Sequence, residues 1–433
     1  MHRIPVHPLA RASALLLAAL ALATPARAQL DPSDPFIKDA KAGYNARTYY
    51  MNRDNTNGTT NEAWAFGGAV FGRTGYWRDT VQFGGTYYFS LPVYAPKDKD
   101  GTTLLRPGQE SISVLGEAYA RLKFGSNTLT LGRQEIDMNY KRAAGVRANR
   151  GDATYTGRQD NRMVPLTYEA VLLGGKVDDT VNYYAGWVDK AKPRNLNEFS
   201  HAGAVAGAKG SDSAMWMGGV QVAPMKDFWV QGWYHQVPDV IRIGYVDTDY
   251  VLHLAEKQYL RLGAQYTDQR SDGANLLTGK PFSTRNAQAY GEYGLDMLTF
   301  YGAYTRTGSG AAMQFPFSTG PIYTVQIDRS FVRAHESGWQ LGIGADLAAW
   351  APGVTAFADF TTGKDAINAS SGAALPDEQE TNIGVTWTLR QKGSFFDGLR
   401  SRARYAWVTD KAPTGDLKGT DLRIDLNLPI NFL

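Results

Sequence analysis

The chain has 433 residues, 43% of them hydrophobic, 20% charged and 12% aromatic, with 46 glycines and no cysteine. This balance is too apolar and aromatic for a disordered chain, and the missing cysteine excludes a disulfide framework, a thiolate metal site and cysteine catalysis. The formal charge of +3 resides in the first 28 residues, which hold Arg3, Arg11 and Arg27 and no acid. A remainder without net charge is a poor nucleic-acid or general anionic-surface binder, so any charged partner must meet a local patch.

The chain starts with the three parts of an export signal. Arg3 and Arg11 precede the apolar run 12–23, and Ala26-Arg27-Ala28 has the small-x-small form of a cleavage site. Residues 1–28 are therefore expected to be removed, leaving Gln29 first. The apolar run is too short for a bilayer span, and no later stretch approaches one.

From there the chain alternates. In the first candidate strand Arg47 and Arg53 share one parity, opposite Tyr44, Ala46, Thr48 and Tyr50. Val114, Ala118, Ala120, Leu122 and Phe124 oppose Glu117, Tyr119, Arg121 and Lys123. Leu260, Leu262, Ala264 and Tyr266 oppose Arg261, Gln265 and Thr267; Trp339, Leu341 and Ile343 oppose Gln340. Ile383, Val385, Trp387 and Leu389 oppose Asn382, Thr386, Thr388 and Arg390. The last segment sets Leu422, Ile424, Leu426, Leu428, Ile430 and Phe432 against Arg423, Asp425, Asn427 and Asn431. A strand sends successive side chains to opposite faces, so each segment has one apolar and one polar face. About eighteen such segments recur, separated by turns such as Thr56-Asn57-Gly58 and Ser271-Asp272-Gly273.

A soluble sandwich or propeller also alternates. Two features favour a membrane barrel. Aromatics gather at strand ends (Tyr49 and Tyr50, Trp64 and Phe66, Tyr87 to Phe89, Phe300 and Tyr301, Trp407, Phe432), as rings at two bilayer interfaces would. The polar faces also carry Arg, Glu and Asp, which a wet lumen tolerates and a packed core does not. The expected fold is all-β: a transmembrane antiparallel β-barrel of about 18 strands, wide enough for an aqueous channel. The expected division is a signal at 1–28, a periplasmic segment at 29–42 and the barrel at 43–433. Longer connections are expected near 92–109, 135–163, 190–213, 306–336 and 363–378.

Two basic sets stand out. The 135–163 connection carries Lys141, Arg142, Arg147 and Arg150 without an acid among them, and later Arg162. It either folds into the lumen as a constriction loop or stays outside in solvent. Arg402 and Arg404 share a parity opposite Ala403, Tyr405 and Trp407, and Arg423 lies on the polar face of the last strand. The last two strands and the first are neighbours in a closed barrel. Arg47, Arg53, Arg402, Arg404 and Arg423 would then form a basic row down one wall, attracting anions. Alternatively, these arginines pair with lumen acids such as Asp425 and stiffen the wall.

The chain resembles the OprD-type porins of Gram-negative bacteria, the outer-membrane carboxylate channels. The resemblance rests on Arg47-Thr48-Tyr49-Tyr50-Met51-Asn52-Arg53-Asp54, Leu131-Gly132-Arg133-Gln134, Asp160-Asn161-Arg162-Met163-Val164-Pro165 and Tyr168-Glu169-Ala170. Gly338-Trp339-Gln340, Gly363-Lys364-Asp365, Glu380-Thr381-Asn382 and Arg402-Ala403-Arg404-Tyr405-Ala406-Trp407 continue it. It implies a monomeric eighteen-stranded barrel in the bacterial outer membrane, with an inward-folded third loop and a ladder of basic residues that passes small carboxylates. The matched ladder positions are Arg53, Arg402, Arg404 and Arg423, with Asp328 as the facing acid. Asn61 and Thr386 stand where basic residues are expected, and the basic 141–150 stretch is an addition.

The function expected is passive, selective diffusion of small organic anions or zwitterions, with outer-membrane lipid as the surroundings. No enzymatic activity, nucleic acid, cofactor or metal is expected. The alternatives are a non-selective general diffusion porin and an outer-membrane barrel enzyme. Beyond the signal the chain has four histidines (His201, His235, His253 and His335), none in a recognisable nucleophile–base arrangement.

Overall fold

The computed structural model describes residues 33–136, 154–317 and 320–433. The expected signal at 1–28, most of the long loop and its Lys141, Arg142, Arg147 and Arg150 lie outside the described residues. After a helical turn at Pro35–Lys38, the first strands are β1 (Lys41–Asp54), β2 (Thr60–Arg73), β3 (Val81–Tyr94), β4 (Ile112–Phe124) and β5 (Asn127–Gln134). Then come β6 (Thr167–Lys176), β7 (Val181–Lys192), the short β8 (Ser200–His201), β9 (Met215–Met225) and β10 (Phe228–Val237). β11 (Ile241–Ala255), β12 (Gln258–Ser271), β13 (Ser283–Leu295), β14 (Leu298–Thr307) and β15 (Ser337–Asp346) follow. β16 (Val354–Lys364), β17 (Asp377–Thr388), β18 (Arg400–Ala412) and β19 (Gly415–Asn431) complete the chain.

Of the 19 strands, β8 pairs only with β7, and the other eighteen close a ring. Neighbours in the chain pair antiparallel, β7 passes over β8 to β9, and β19 returns to β1 with Arg423 opposite Met51 and Asp425 opposite Tyr49. Closure satisfies the backbone without a free edge, which hydrocarbon requires. An even ring brings both termini to one end. The connections at that end are mostly tight, such as 226–227, 256–257 and 296–297, where Asp227, Lys257 and Asp296 adopt positive φ. The long connections 95–111, 135–166, 193–214, 308–336 and 365–376 all lie at the other end.

The outer face is the apolar one. Trp339, Leu341 (72% exposed), Ile343, Ile383, Val385, Leu262, Ile424 and Leu426 all face away from the lumen, as their parity predicts. Inside the ring are Gln340, Asn382, Gln265, Asp421, Arg423 and Asp425. In water this arrangement would expose a wide apolar belt; in a bilayer it is the stable one.

Local departures have physical causes. Val114 does not share a face with Ala118, because the β3–β4 register slips between Thr86 and Tyr87, around Gly116. Val114 is therefore buried inside while Leu115 faces out. Such a bulge inserts one residue and exchanges the two faces beyond it. Tyr49, Tyr88 and Tyr301 are not girdle residues either: all three are buried on inner faces.

The lumen is not uniformly polar. Tyr49, Met51, Ala63, Ala65 and Tyr88 on the inner wall pack with Leu104, Leu105, Met163 and Val164 from two long connections. A second apolar cluster joins Ile136, Tyr155, Leu166, Tyr168, Trp233, Ile241, Tyr245, Phe317, Ile322 and Val332. Segments 154–166 and 308–336 thus have apolar surface to bury, and the inner wall supplies its counterpart. Tyr168 Oη lies 2.8 Å from Gly157 O and 3.0 Å from Phe317 O, tying the two connections together.

Candidate functional site

The wall made by β18, β19 and β1 carries the five strand arginines singled out by parity. Arg402 and Arg404 lie on the face of β18 that holds buried Ala406 and Val408, and Arg47 and Arg53 share a face with buried Tyr49 and Met51. Cross-strand register sets their heights: Arg53 opposite Asp421, Arg404 opposite Arg423, Arg402 opposite Asp425, and Arg47 opposite Asn427. Arg400 continues the set; its parity with Arg402 and Arg404 was a signal available in the sequence. At about 3.3 Å per residue, Arg53 to Arg47 spans roughly 20 Å of wall.

Most of these guanidiniums have carboxylate partners. Arg53 Nε is 2.8 Å from Asp421 and 3.1 Å from Asp328. Arg423 reaches Asp421 at 2.7 Å and donates to Ile327 O at 2.7 Å. Arg402 lies 2.8 Å and Arg400 3.4 Å from Asp425. Arg47 lies 2.6 Å from Asp160, with its Nε donating to Asn427 at 2.6 Å. The structure thus contains the pairing with Asp425 that the sequence offered as the alternative to an open basic row. Asp328, named only by resemblance, lies beside the wall at Arg53.

Three further guanidiniums have only neutral hydrogen-bond partners among the described residues. Arg404 donates to Tyr49 Oη at 3.0 Å. Arg162 donates to Thr102 O, Thr103 Oγ1 and Asn161 O. Arg194, which no sequence signal indicated, donates to Asn161 Oδ1 at 2.5 Å. Burial, reinforced by Arg423 and Arg194, pushes the Arg162 guanidinium well below its ordinary pKa. Burial and Arg423 likewise bring Arg194 down to about 10. Burial is the larger cause of both shifts and the neighbouring arginines the smaller.

The long connections are tied down around this wall. Glu380 on β17 accepts from the backbone N–H of Arg329 at 2.7 Å and of Asp328 at 3.1 Å. Arg329 bridges to Asp410 at 3.0 Å, and Asn382 donates to Gln326 at 2.7 Å. In the other connection Arg158 joins Glu135 at 3.1 Å to Asp160 at 3.0 Å. Burial raises the Glu135 carboxyl to about 7 against the pull of Arg158, with Glu117 adding to the rise. Burial pushes the Asp160 carboxyl up, but Arg47, Arg158 and Arg400 together hold it below its ordinary value. A cavity of about 640 Å³ is lined by Arg47, Arg73, Arg158, Arg400, Glu117 and Glu135.

The sequence profile of a family described as outer membrane porin, OprD family, matches residues 153–432. The chain belongs to that family. OprD-family porins are channels of the bacterial outer membrane, and the eighteen-stranded ring with its apolar outer face is that kind of barrel. No curated protein matches the chain. Among solved structures, OpdK of Pseudomonas aeruginosa, determined with vanillate, superposes with a TM-score of 0.77 at 18% identity, covering 92% of this chain and 100% of its own. A BenF-like porin from Pseudomonas fluorescens Pf-5 gives 0.78 at 18% identity, covering 91% and 100%. OccAB1 of Acinetobacter baumannii gives 0.79 at 17% identity, covering 94% and 100%. At these identities the likeness concerns the fold. With the OprD-family barrel in an outer membrane, the end holding the termini faces the periplasm and the long connections face outward.

Proposed function

We propose that this porin passes small carboxylate-bearing solutes by passive diffusion, guided along the wall of Arg53, Arg423, Arg404, Arg402 and Arg47. The observation that carries the reading is the group Arg162, Arg194 and Arg404. Among the described residues each is a cation held by neutral oxygens only, next to a row whose remaining members are paired. A carboxylate entering there gains charge-assisted hydrogen bonds that the protein itself leaves unmade. Beyond it, Arg402 is 25% exposed and shares Asp425 with Arg400, so the anion meets partners of decreasing strength toward the periplasm. A selective channel needs sites favourable enough to enter and weak enough to leave. The solved OpdK complex contains vanillate, an aromatic monocarboxylate, which is consistent with this class of solute.

In this reading the described residues of segments 154–166 and 308–336 form the constriction, and one chain makes one pore without any chemical step. The test is a liposome-swelling panel of small aliphatic and aromatic carboxylates against neutral sugars of equal size. Carboxylates should enter faster than sugars, and R162Q/R194Q should remove the difference. Equal rates for both solute classes in the wild type would refute selective passage and leave a general diffusion pore.

A further inference from the structure

The outer face carries a second basic set that plays no part in the lumen. Arg242 on β11, Arg270 on β12, Arg285 on β13, Arg306 on β14 and Lys364 on β16 share the parity of the lipid-facing Val246, Tyr266, Phe300, Tyr304 and Phe360. All five lie at the outward-facing ends of their strands. Arg242 and Arg270 are direct register partners, and Arg306 and Lys364 both align with Ser337. Strand tilt brings them to one height. A hydrogen-bonded row that passes Val251, near the periplasmic end of β11, reaches Arg53 at the outer end of β1, so rows climb in this direction. Arg306, in the row of Tyr266, is thereby lifted toward Arg270.

Among the described residues two carboxylates form ion pairs with these five cations. Asp268 serves both Arg270 and Arg285, at 2.6 and 3.2 Å, and Asp272 serves Arg242 at 3.0 Å. Arg306 donates to Ser337 Oγ and to His335 Nε2. His335 Nδ1 lies 3.0 Å from Asp365 O, and its Nε2 faces Arg306, a guanidinium that can only donate. The side chains of Arg242, Arg270 and Arg285 are 46%, 53% and 65% exposed. Like charges directly opposite on neighbouring strands destabilise a sheet unless an anion lies between them. The aromatic and aliphatic side chains beneath fix the site at the boundary between hydrocarbon and headgroups.

We propose that this belt holds the phosphates of a phosphorylated glycolipid of the outer leaflet, its acyl chains lying on Val246, Tyr266, Tyr304 and Trp339. Guanidinium pairs take phosphate oxygens two at a time, and the strand spacing places several within reach of one headgroup. Such a lipid would link β11 to β16 across their outer ends.

The full chain, purified in detergent, is titrated with bisphosphorylated lipid A and followed by native mass spectrometry. Parallel titrations use dephosphorylated lipid A, free pyrophosphate and phosphatidylglycerol. The wild type should retain the bisphosphorylated lipid, R270Q/R285Q/R306Q should bind it about tenfold more weakly or worse, and R133Q/K411Q, outside the belt, should match the wild type. R270K/R285K/R306K keeps the charge without the fork, guards against a folding defect and should bind more weakly than the wild type but more tightly than the glutamine variant. Equal retention by the glutamine variant, or a loss with lysine as large as with glutamine, overturns the proposal. So does equal binding of the dephosphorylated lipid, of pyrophosphate or of phosphatidylglycerol, since each removes either the phosphate or the glycolipid from the explanation.

Discussion

Arg404 offers the cleanest perturbation of the pore wall. Its hydrogen bond goes to Tyr49 Oη, so Arg404→Gln removes a unit of charge without uncovering a carboxylate. On the wall, Arg47, Arg53, Arg400, Arg402, Arg404 and Arg423 face Asp160, Asp328, Asp421 and Asp425, a surplus of two positive charges that the substitution halves. A carboxylate passing at about 6 Å, in a wet pore of effective dielectric about 40, is attracted to one such charge by about 1.4 kcal/mol. Mobile ions in the lumen trim this to about 1 kcal/mol, a factor of about five in anion preference. The assay is the reversal potential in planar bilayers under a gradient of a potassium carboxylate, with Arg404→Lys as the charge-preserving control. The glutamine variant should lose about that factor and the lysine variant should keep nearly the wild-type preference. An unchanged anion-to-cation permeability ratio in Arg404→Gln would refute the argument that the wall's surplus charge selects the solute.

Glu135 should make anion preference pH-dependent. Its carboxyl, raised to about 7 by burial, is protonated at pH 6 and charged at pH 8, when it opposes the neighbouring Arg158. Selectivity for anions should therefore fall across that interval, and Glu135→Gln should flatten the profile, measured by reversal potential at each pH. The same raised value means that Glu135 favours the folded state below its unfolded pKa, an advantage lost as pH rises through about 7. Asp421→Ala leaves Arg423, whose side chain is 5% exposed, without its carboxylate. Stranding a buried charge costs about 3–5 kcal/mol, so the heat-modifiable gel shift should move to lower temperature, more than with Asp416→Ala at an exposed pair. Glu380→Gln weakens the anchor on the backbone of residues 328 and 329, so single-channel current should become noisier, with conductance unchanged or larger.

The barrel was legible because its physics is periodic. Where one face meets lipid and the other water, a strand such as Leu422 to Phe432 records its orientation in every second residue, and the same logic placed Arg402, Arg404 and Arg423 inside. The reading failed where the period broke or where loops supplied the inner surface. Nothing in Gly116 alone announces a bulge, so Val114 fell on the wrong side. Tyr49 and Tyr301 were read as interface aromatics because an apolar ring beneath an inward-folded connection looks the same in sequence as one at a headgroup. The connection 308–336 was visible as a long insertion, yet its contacts with Arg423, Asn382 and Asp410 are tertiary and leave no local signature. Arg400 was within reach of the parity argument; Arg194 was not, since it lies in a connection with no alternation.

Under the proposed function, the pairing of the arginines, offered at first as an alternative to solute guidance, is what would make guidance work. A bare guanidinium in a narrow pore would hold a carboxylate in a deep well, and residence there would limit flux. Sharing each cation with a wall aspartate lowers the well, because the solute gains only the hydrogen bonds and field that the aspartate does not already take. In that proposal Arg402 and Arg400, which share Asp425, are such a shallow site. Arg162, Arg194 and Arg404, with neutral partners, are the deeper one. A solute drawn to the deep site and released through shallow ones moves without a driving step. This predicts opposite outcomes from neighbouring changes: Asp425→Asn should tighten carboxylate binding and slow its flux, whereas Arg404→Gln should loosen binding and lower the preference for anions. If both lowered binding alike, the aspartates would be scaffolding only, and the graded row would have to be abandoned.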